Sequence, residues 1–265
     1  MRLHISHKTH YAYDQPVPYG LQQVRLTPKS CATQSIDSWT IAIDGGREES
    51  SFDDQHGNRV QLISIDAGQQ EISITCSGDV DTLPTNGVVG PHSGFAPLWY
   101  YKRQTPLTRP GKLIRKLAAD MPENLDQIGR LHDLSATIRE AIAYETDRTD
   151  SGTTAEEALK VGHGVCQDHA HTFVSVARLL DIPARYVRGY LMMDDRIQQE
   201  ASHAWAEAYV ADVGWIGFDV SNVISPDERY VRIATGLDYD EAAPISGIVF
   251  GGAAESLLVS LQVQQ

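Results

Sequence analysis

The chain has 265 residues, 42% hydrophobic and 22% charged, which is enough apolar material for two modest domains or one large one. Asp and Glu outnumber Lys and Arg by 35 to 22, leaving a net charge of −13. That sign argues against nucleic acid and anionic membrane as partners, because both repel it. Cys31, Cys76 and Cys166 are too few for a disulfide framework, and no apolar run approaches the ~18 residues of a membrane span. The N-terminal stretch MRLHISHKTHYAYDQPVPYG has no apolar leader-like segment, so a cytoplasmic setting that keeps thiols reduced is expected.

Residues 1–80 contain short β-like runs broken by turn chemistry. Arg2 to Tyr13 and Gln22 to Leu26 come first. Ser38 to Ile43 alternates and ends in the turn Asp44-Gly45-Gly46, and a second turn at Asp53, Gly57 and Asn58 leads into Arg59 to Ile65 and Gln70 to Cys76. This spacing predicts an all-β sandwich over 1–80. No catalytic cluster falls in it, and Cys31 and Cys76 read as incidental or buried thiols.

Between Asp79 and Gly111 lie five prolines and four glycines without a period. Residues 81–110 are therefore expected to link two domains, anchored by Phe95, Trp99, Tyr100 and Tyr101. Helical spacing follows over Lys112 to Ala119 and Asp126 to Tyr144, with Leu131, Leu134, Ile138 and Ile142 forming an apolar stripe. Thr153-Thr-Ala-Glu-Glu157 offers two overlapping capping boxes for a short helix through Lys160. A second domain is expected to run from 111 to 265.

Gly162-His-Gly-Val-Cys166 is a flexible entry into a helix whose buried face is Ala170, Phe173, Val174, Ala177 and Leu180. Asp181-Ile-Pro183 ends it. A cysteine at a helix N-terminus meets unpaired N–H groups and the positive end of the dipole, and both favour a thiolate. The Cys166 backbone N–H is also a candidate oxyanion donor. The histidines at 163, 169 and 171 give H-x-x-C-x-x-H-x-H with Cys166. That spacing fits no closed zinc site, and a helix sends His169 and His171 to different faces, so no metal is expected.

Strands are predicted at Ala184 to Leu191, His203 to Val210 and Trp215 to Asp219. In the second, His203, Trp205, Glu207 and Tyr209 share one face, and the small residues Ala204, Ala206 and Ala208 share the other with Val210. The small face suits packing on the Cys166 helix, so a strand end or bulge must aim His203 at the thiol. Two registers are open: one turn puts His203 opposite Asp219, the other opposite Asn222. Asp219 is preferred, because a carboxylate better stabilises an imidazolium; Asn222 is the alternative. Trp205 and Trp215 read as core or cleft walls, and Arg185 and Arg188 as a solvated strand face. Cysteine, histidine and aspartate in this order suggest a thiol nucleophile, its base and the base's orienter.

At these residues the sequence resembles the bacterial transglutaminase-like family, which is related to animal transglutaminases and more remotely to papain-type thiol proteases. GVCQDHAHTFVSVARLLDIPARYVRGYL is similar to the family's cysteine helix and following strand, and SHAWAEAYV and GWIGFDVSN to its histidine and aspartate segments. HKTHYAYDQPV and VRLTP resemble its N-terminal β domain, and ATGLDYDEAAPISGIVFGG its C-terminal signature. The resemblance implies an α+β fold, an N-terminal β-sandwich followed by a papain-like core of helices packed on an antiparallel sheet. It implies Cys166 as nucleophile, His203 as base then acid, and Asp219 as the orienter of His203. Leu237 departs from the pattern, which leads one to expect arginine after Gly236.

The expected chemistry is acyl transfer on a protein or peptide substrate through a thioester, without cofactor. Hydrolysis is expected over amine crosslinking, since water needs no acceptor site. A non-catalytic scaffold with the same fold is the competing class.

Overall fold

The computed structural model describes residues 1–193, 197–199, 201–252 and 254–265 of an α+β chain. Its N-terminal part is β1 (Arg2–Val17), β2 (Tyr19–Thr27), β3 (Gln34–Asp44), β4 (Gly46–Asp53), β5 (Arg59–Ile65) and β6 (Gln69–Thr82). After these come β7 (Val88–Gly90), α1 (Lys112–Ala119), α2 (Gln127–Ala141), β8 (Ala143–Tyr144), α3 (Ala155–Val161) and β9 (His163–Gly164). Next are α4 (Cys166–Leu179), β10 (Ala184–Leu191), β11 (Gln198–Gln199), β12 (His203–Val210) and β13 (Gly214–Phe218). The chain closes with β14 (Tyr230–Gly236), α5 (Tyr239–Ala242), β15 (Ile245–Phe250) and β16 (Glu255–Gln264).

Two antiparallel sheets, ordered β11-β16-β1-β6-β3 and β15-β2-β5-β4, enclose Tyr11, Val17, Val24, Leu26, Ile63 and Ile72. Strand β4 has no apolar alternation in GREESSFD, so the sequence reading missed it; it is an edge strand held by β5 with charged residues toward solvent. The third sheet, β14-β10-β12-β13-β7, carries the helices. Alternate residues of β1 are buried, and their partners change along the strand. Tyr11, Tyr13 and Val17 join the sandwich interior, whereas Leu3 and Ile5 pack with Tyr186 and Tyr190 of β10 and Val231 of β14. Between the two groups, buried His7 hydrogen-bonds through Nδ1 to the Tyr190 hydroxyl at 2.7 Å.

The sequence reading assigned 111–265 to the second domain, but the strand pairing of the last segment runs elsewhere. β15 pairs with β2 and β16 with β1, and both close open ladders of the sandwich sheets. Leu261 and Val263 point inward at the junction, and Ile245 and Val249 against the sandwich core. The segment 81–110 likewise contributes a strand, since β7 pairs with β13. Tyr101 anchors it as expected at 1% exposed, whereas Phe95 and Trp99 face solvent at 83% and 64%.

Helix α4 lies across β12. Its Phe173, Val174 and Ala177 pack with Ala206, Ala208 and Val210 on one side and with Leu131, Leu134 and Ile138 of α2 on the other. The small side chains of β12 let the helix approach closely, as its alternation predicts. Of the two overlapping capping boxes, Thr154 with Glu157 closes α3. Glu156 turns outward to α1 and accepts hydrogen bonds from the backbone N–H groups of Gly111, Leu113 and Ile114 at 3.1, 2.8 and 3.0 Å. A carboxylate on orphan amides at the positive end of a helix replaces the N-cap side chain that Gly111 lacks.

Candidate active site

Cys166 is the first residue of α4, and the loop before it is shaped by Asp168. This buried carboxylate accepts from the Val165 N–H at 2.8 Å and from the Thr149 hydroxyl at 2.7 Å, tying the loop to the helix start. A Cβ at Gly164 would stand 2.6 Å from Asp168 Oδ2, so glycine is required there by close packing rather than by an unusual φ. Burial pushes the Asp168 carboxyl upward, and the two hydrogen bonds offset this only in part. The Cys166 thiol is half-buried and lines a cleft of about 540 Å³ whose walls include Tyr186, Arg188, His203 and Tyr239.

His203 opens β12 and pairs with Gly189 of β10. It lies on the face with Trp205 and Glu207, as strict alternation requires, yet its position at the strand end lets the ring reach the cleft. Nε2–H donates to Asp219 Oδ2 at 2.6 Å, and Cys166, on the same cleft wall, acts on this ring through its charge and a side-chain hydrogen bond. Burial opposes the charge on this imidazole, but Cys166 and Asp219 together outweigh it and raise His203 to about 10. Gly189 is required here as well: a Cβ would stand 2.0 Å from the Val231 carbonyl oxygen and 2.6 Å from the Trp205 ring.

Asp219 follows the last residue of β13 and is wholly buried. The chain then turns back, with a bridge between Asp219 and Ile224 and Val223 in the left-handed region at φ 55°. Asp219 Oδ2 accepts three hydrogen bonds, from His203, from Asn222 Nδ2 at 2.7 Å and from the Tyr230 hydroxyl at 2.7 Å. Burial pushes this carboxyl up, and its donors hold it below the ordinary aspartate value. Asn222 thus acts on the carboxylate and not in its place. Tyr230 carried no signal in the sequence, because its link to Asp219 is made only when β14 pairs with β10 in the same sheet.

Neither register read from the sequence is observed. Val210 pairs with Gly214 and Ala206 with Phe218, so the turn is Ala211-Asp212-Val213, with Asp212 at φ 66° and Gly214 at φ 100°. The positive φ at both positions closes the hairpin with His203 in line with position 221, two residues from the first expectation and one from the second.

The remaining histidines have other partners. His169 holds the Asp219–Ile224 turn, with Nε2–H donating to the Ile142 carbonyl at 2.9 Å and Nδ1 accepting from Ser221 Oγ at 2.8 Å. His171 Nε2 accepts the Tyr239 N–H at 3.1 Å, and burial followed by Arg178 pushes this ring down to about 3. His163 lies in β9. Gln167, beside the thiol, donates to the Ser151 carbonyl at 3.1 Å. Arg188 borders the cleft as a half-buried residue, but Arg185, read as solvated, is only 5% exposed and paired with Glu207 at 2.5 Å. Leu237, where an arginine was expected, is buried; its carbonyl accepts Arg178 Nη2 at 2.6 Å. Among the described residues, no helix is long and apolar enough to cross a membrane.

Comparison with known proteins yields matches along most of the chain. The bacterial transglutaminase-like N-terminal region matches residues 3–81, and the transglutaminase-like superfamily matches residues 115–220. An uncharacterized protein of Mycobacterium leprae (strain TN) is 27% identical over 282 residues, covering 99% of this chain and 98% of the relative. An uncharacterized protein of Mycobacterium tuberculosis (strain CDC 1551 / Oshkosh) is 27% identical over 291 residues, with coverage of 99% and 92%. The crystal structure of a "Putative Cysteine Protease from Cytophaga hutchinsonii" is similar in fold, with a TM-score of 0.78 at 22% identity, covering 100% of this chain and 91% of that one.

Proposed function

We propose that this chain, which belongs to the transglutaminase-like superfamily, is a thiol enzyme acting on protein or peptide carbonyls through Cys166, His203 and Asp219. The observation that carries this reading is the His203 ring. Its Nε2–H is committed to buried Asp219, and the same ring interacts with the Cys166 thiol, with which it shares the wall of an open cleft. An imidazolium held in that way stabilises a sulfur anion beside it.

In the proposed cycle the Cys166 thiolate attacks the carbonyl carbon of an amide, and the charge moves to the oxygen. The Cys166 backbone N–H is a donor for that oxyanion. The C–N bond then breaks, the leaving amine takes its proton from His203, and a thioester remains. Water, giving a proton to His203, attacks the thioester, and the C–S bond breaks to release the acid and restore the thiolate beside the imidazolium. Asp219 holds the ring orientation throughout and stabilises its charged form. Hydrolysis is favoured over transfer to an amine, since the cleft of about 540 Å³ admits water and water needs no acceptor site.

Mass spectrometry of glutamine-containing peptides incubated with and without a primary amine tests this. Wild type is expected to yield acid products that Cys166→Ala does not. Amine adducts as the main product would move the reading to crosslinking. No product, together with equal alkylation rates at all three thiols, would leave a scaffold.

A further inference from the structure

Glu207 lies on the face of the β14-β10-β12-β13-β7 sheet that points away from α4, and it is wholly buried. It accepts from Arg185 through Nε at 2.6 Å and Nη2 at 2.5 Å, and from Arg232 through Nε at 2.9 Å and Nη2 at 3.4 Å. Two guanidinium groups thus share one carboxylate, and one positive charge is left over on side chains only 5% and 19% exposed. Both arginines border a cavity of about 480 Å³ that shares no lining residue with the Cys166 cleft. Lys29 and His56 also line it, and no Asp or Glu does, in a chain whose net charge is −13. Lys29 is matched by Asp53 at 2.6 Å and His56 Nε2 by Glu241 at 2.7 Å, so the unmatched charge belongs to the arginine pair. The Trp215 ring, 3.9 Å from the Arg185 guanidinium, holds that group flat and forms an apolar wall.

We propose that this cavity binds the carboxylate of an organic acid, with Arg185 and Arg232 as its anion anchors. A guanidinium that meets Glu207 through Nε and Nη2 keeps its Nη1 donors and the second N–H of Nη2, and that end of the planar group matches a carboxylate. A monoanion cancels the single surplus charge, whereas a phosphate dianion leaves one charge unmatched. The cavity volume lies within the range of small-ligand sites, roughly 300–1,000 Å³, so it holds the body of the acid as well as its head. The same head group occurs on a free small acid and on the C-terminus of a peptide.

Calorimetric titration of the whole chain with benzoate, N-acetyltriglycine, its C-terminal amide and inorganic phosphate tests the site. Binding by at least one of the two acids is expected, without binding by the amide. Benzoate alone identifies a free acid as the source, and N-acetyltriglycine alone a peptide terminus. Affinity should fall at least about tenfold in Arg232→Gln, which removes a charge-assisted contact. Ala32→Trp, at the exposed rim, should lower it similarly with the ion network intact, and decides the matter if Arg232→Gln does not fold. Cys31 lines the same cavity, so a bound acid should slow its reaction with a disulfide reagent while leaving Cys166 unchanged. Absence of heat with both acids, an unchanged affinity in Ala32→Trp, equal binding of the amide, or tighter binding of phosphate would overturn the proposal.

Discussion

His203 and Asp219 are joined by a 2.6 Å hydrogen bond, although they do not face each other across the β12–β13 ladder. Continued one residue past Ala206 and Phe218, the register sets Trp205 opposite Asp219. His203 is two positions along the same face and meets the carboxylate on the diagonal. The contact is possible because both residues stand at strand ends, where the chain is free to bend toward a partner.

Asp219→Asn tests the role of that carboxylate. The amide keeps the volume and an acceptor oxygen but loses the charge that favours imidazolium. A fall in kcat of at least about a hundredfold with little change in KM is expected. Activity within a few-fold of wild type would exclude Asp219 from the proposed chemistry.

Tyr230 and Asn222 act through Asp219, so their removal should be milder. Tyr230→Phe deletes one of three donors on Oδ2 and should move the carboxyl upward. The expected readouts are a stability loss of about 1–3 kcal/mol and an acid limb of kcat displaced to higher pH. A merely structural role would lower stability and leave that limb in place.

Thiol reactivity offers a test that needs no substrate. Cys76 is wholly buried, and burial pushes its thiol up to about 11, whereas Cys166 opens on the cleft beside His203. Iodoacetamide at pH 6 should therefore label Cys166 much faster than Cys76. In His203→Ala the cation beside the sulfur is lost, and labelling of Cys166 at this pH should slow. Indifference of that rate to His203 would count against the pair.

Acid should unfold the protein for a specific reason. Burial holds His7 and His171 down at about 3, with Arg188 and Arg178 adding to it, against an ordinary value of 6.5. Between those values the unfolded chain binds protons that the folded chain does not, so stability falls as pH drops from about 6.5 toward 3. His203 has the opposite sign: raised to about 10, its contribution is full below 6.5 and lost as pH climbs toward 10. Urea unfolding at a series of pH values should show a maximum near neutrality, and His7→Gln should flatten the acid side.

Glu156→Ala removes the carboxylate that caps α1 from a different helix, leaving three backbone N–H groups without their acceptor. A loss of about 1–2 kcal/mol in chemical denaturation is expected, with Glu156→Gln in between. The catalytic parameters should not change, since the side chain lies outside the cleft.

The sequence by itself determined where the elements of the α-helical part lie. Lys112–Ala119, Ala184–Leu191 and His203–Val210 have the bounds that their periodicity predicts, because alternation, capping and punctuation act within a few residues. It also determined that the small face of β12 turns to the cysteine helix. Tertiary structure decided the rest. The hairpin register depended on a left-handed Asp212, the last two strands depended on which sandwich ladders stood open, and the burial of Arg185 depended on Glu207 and Arg232 arriving from other strands. Tyr230 reached Asp219 only because β14 pairs beside β10 in the same sheet. Apart from the hairpin turn, each of these is a contact between different elements, whose partner is chosen by which surfaces and charges remain unsatisfied once the local elements have formed.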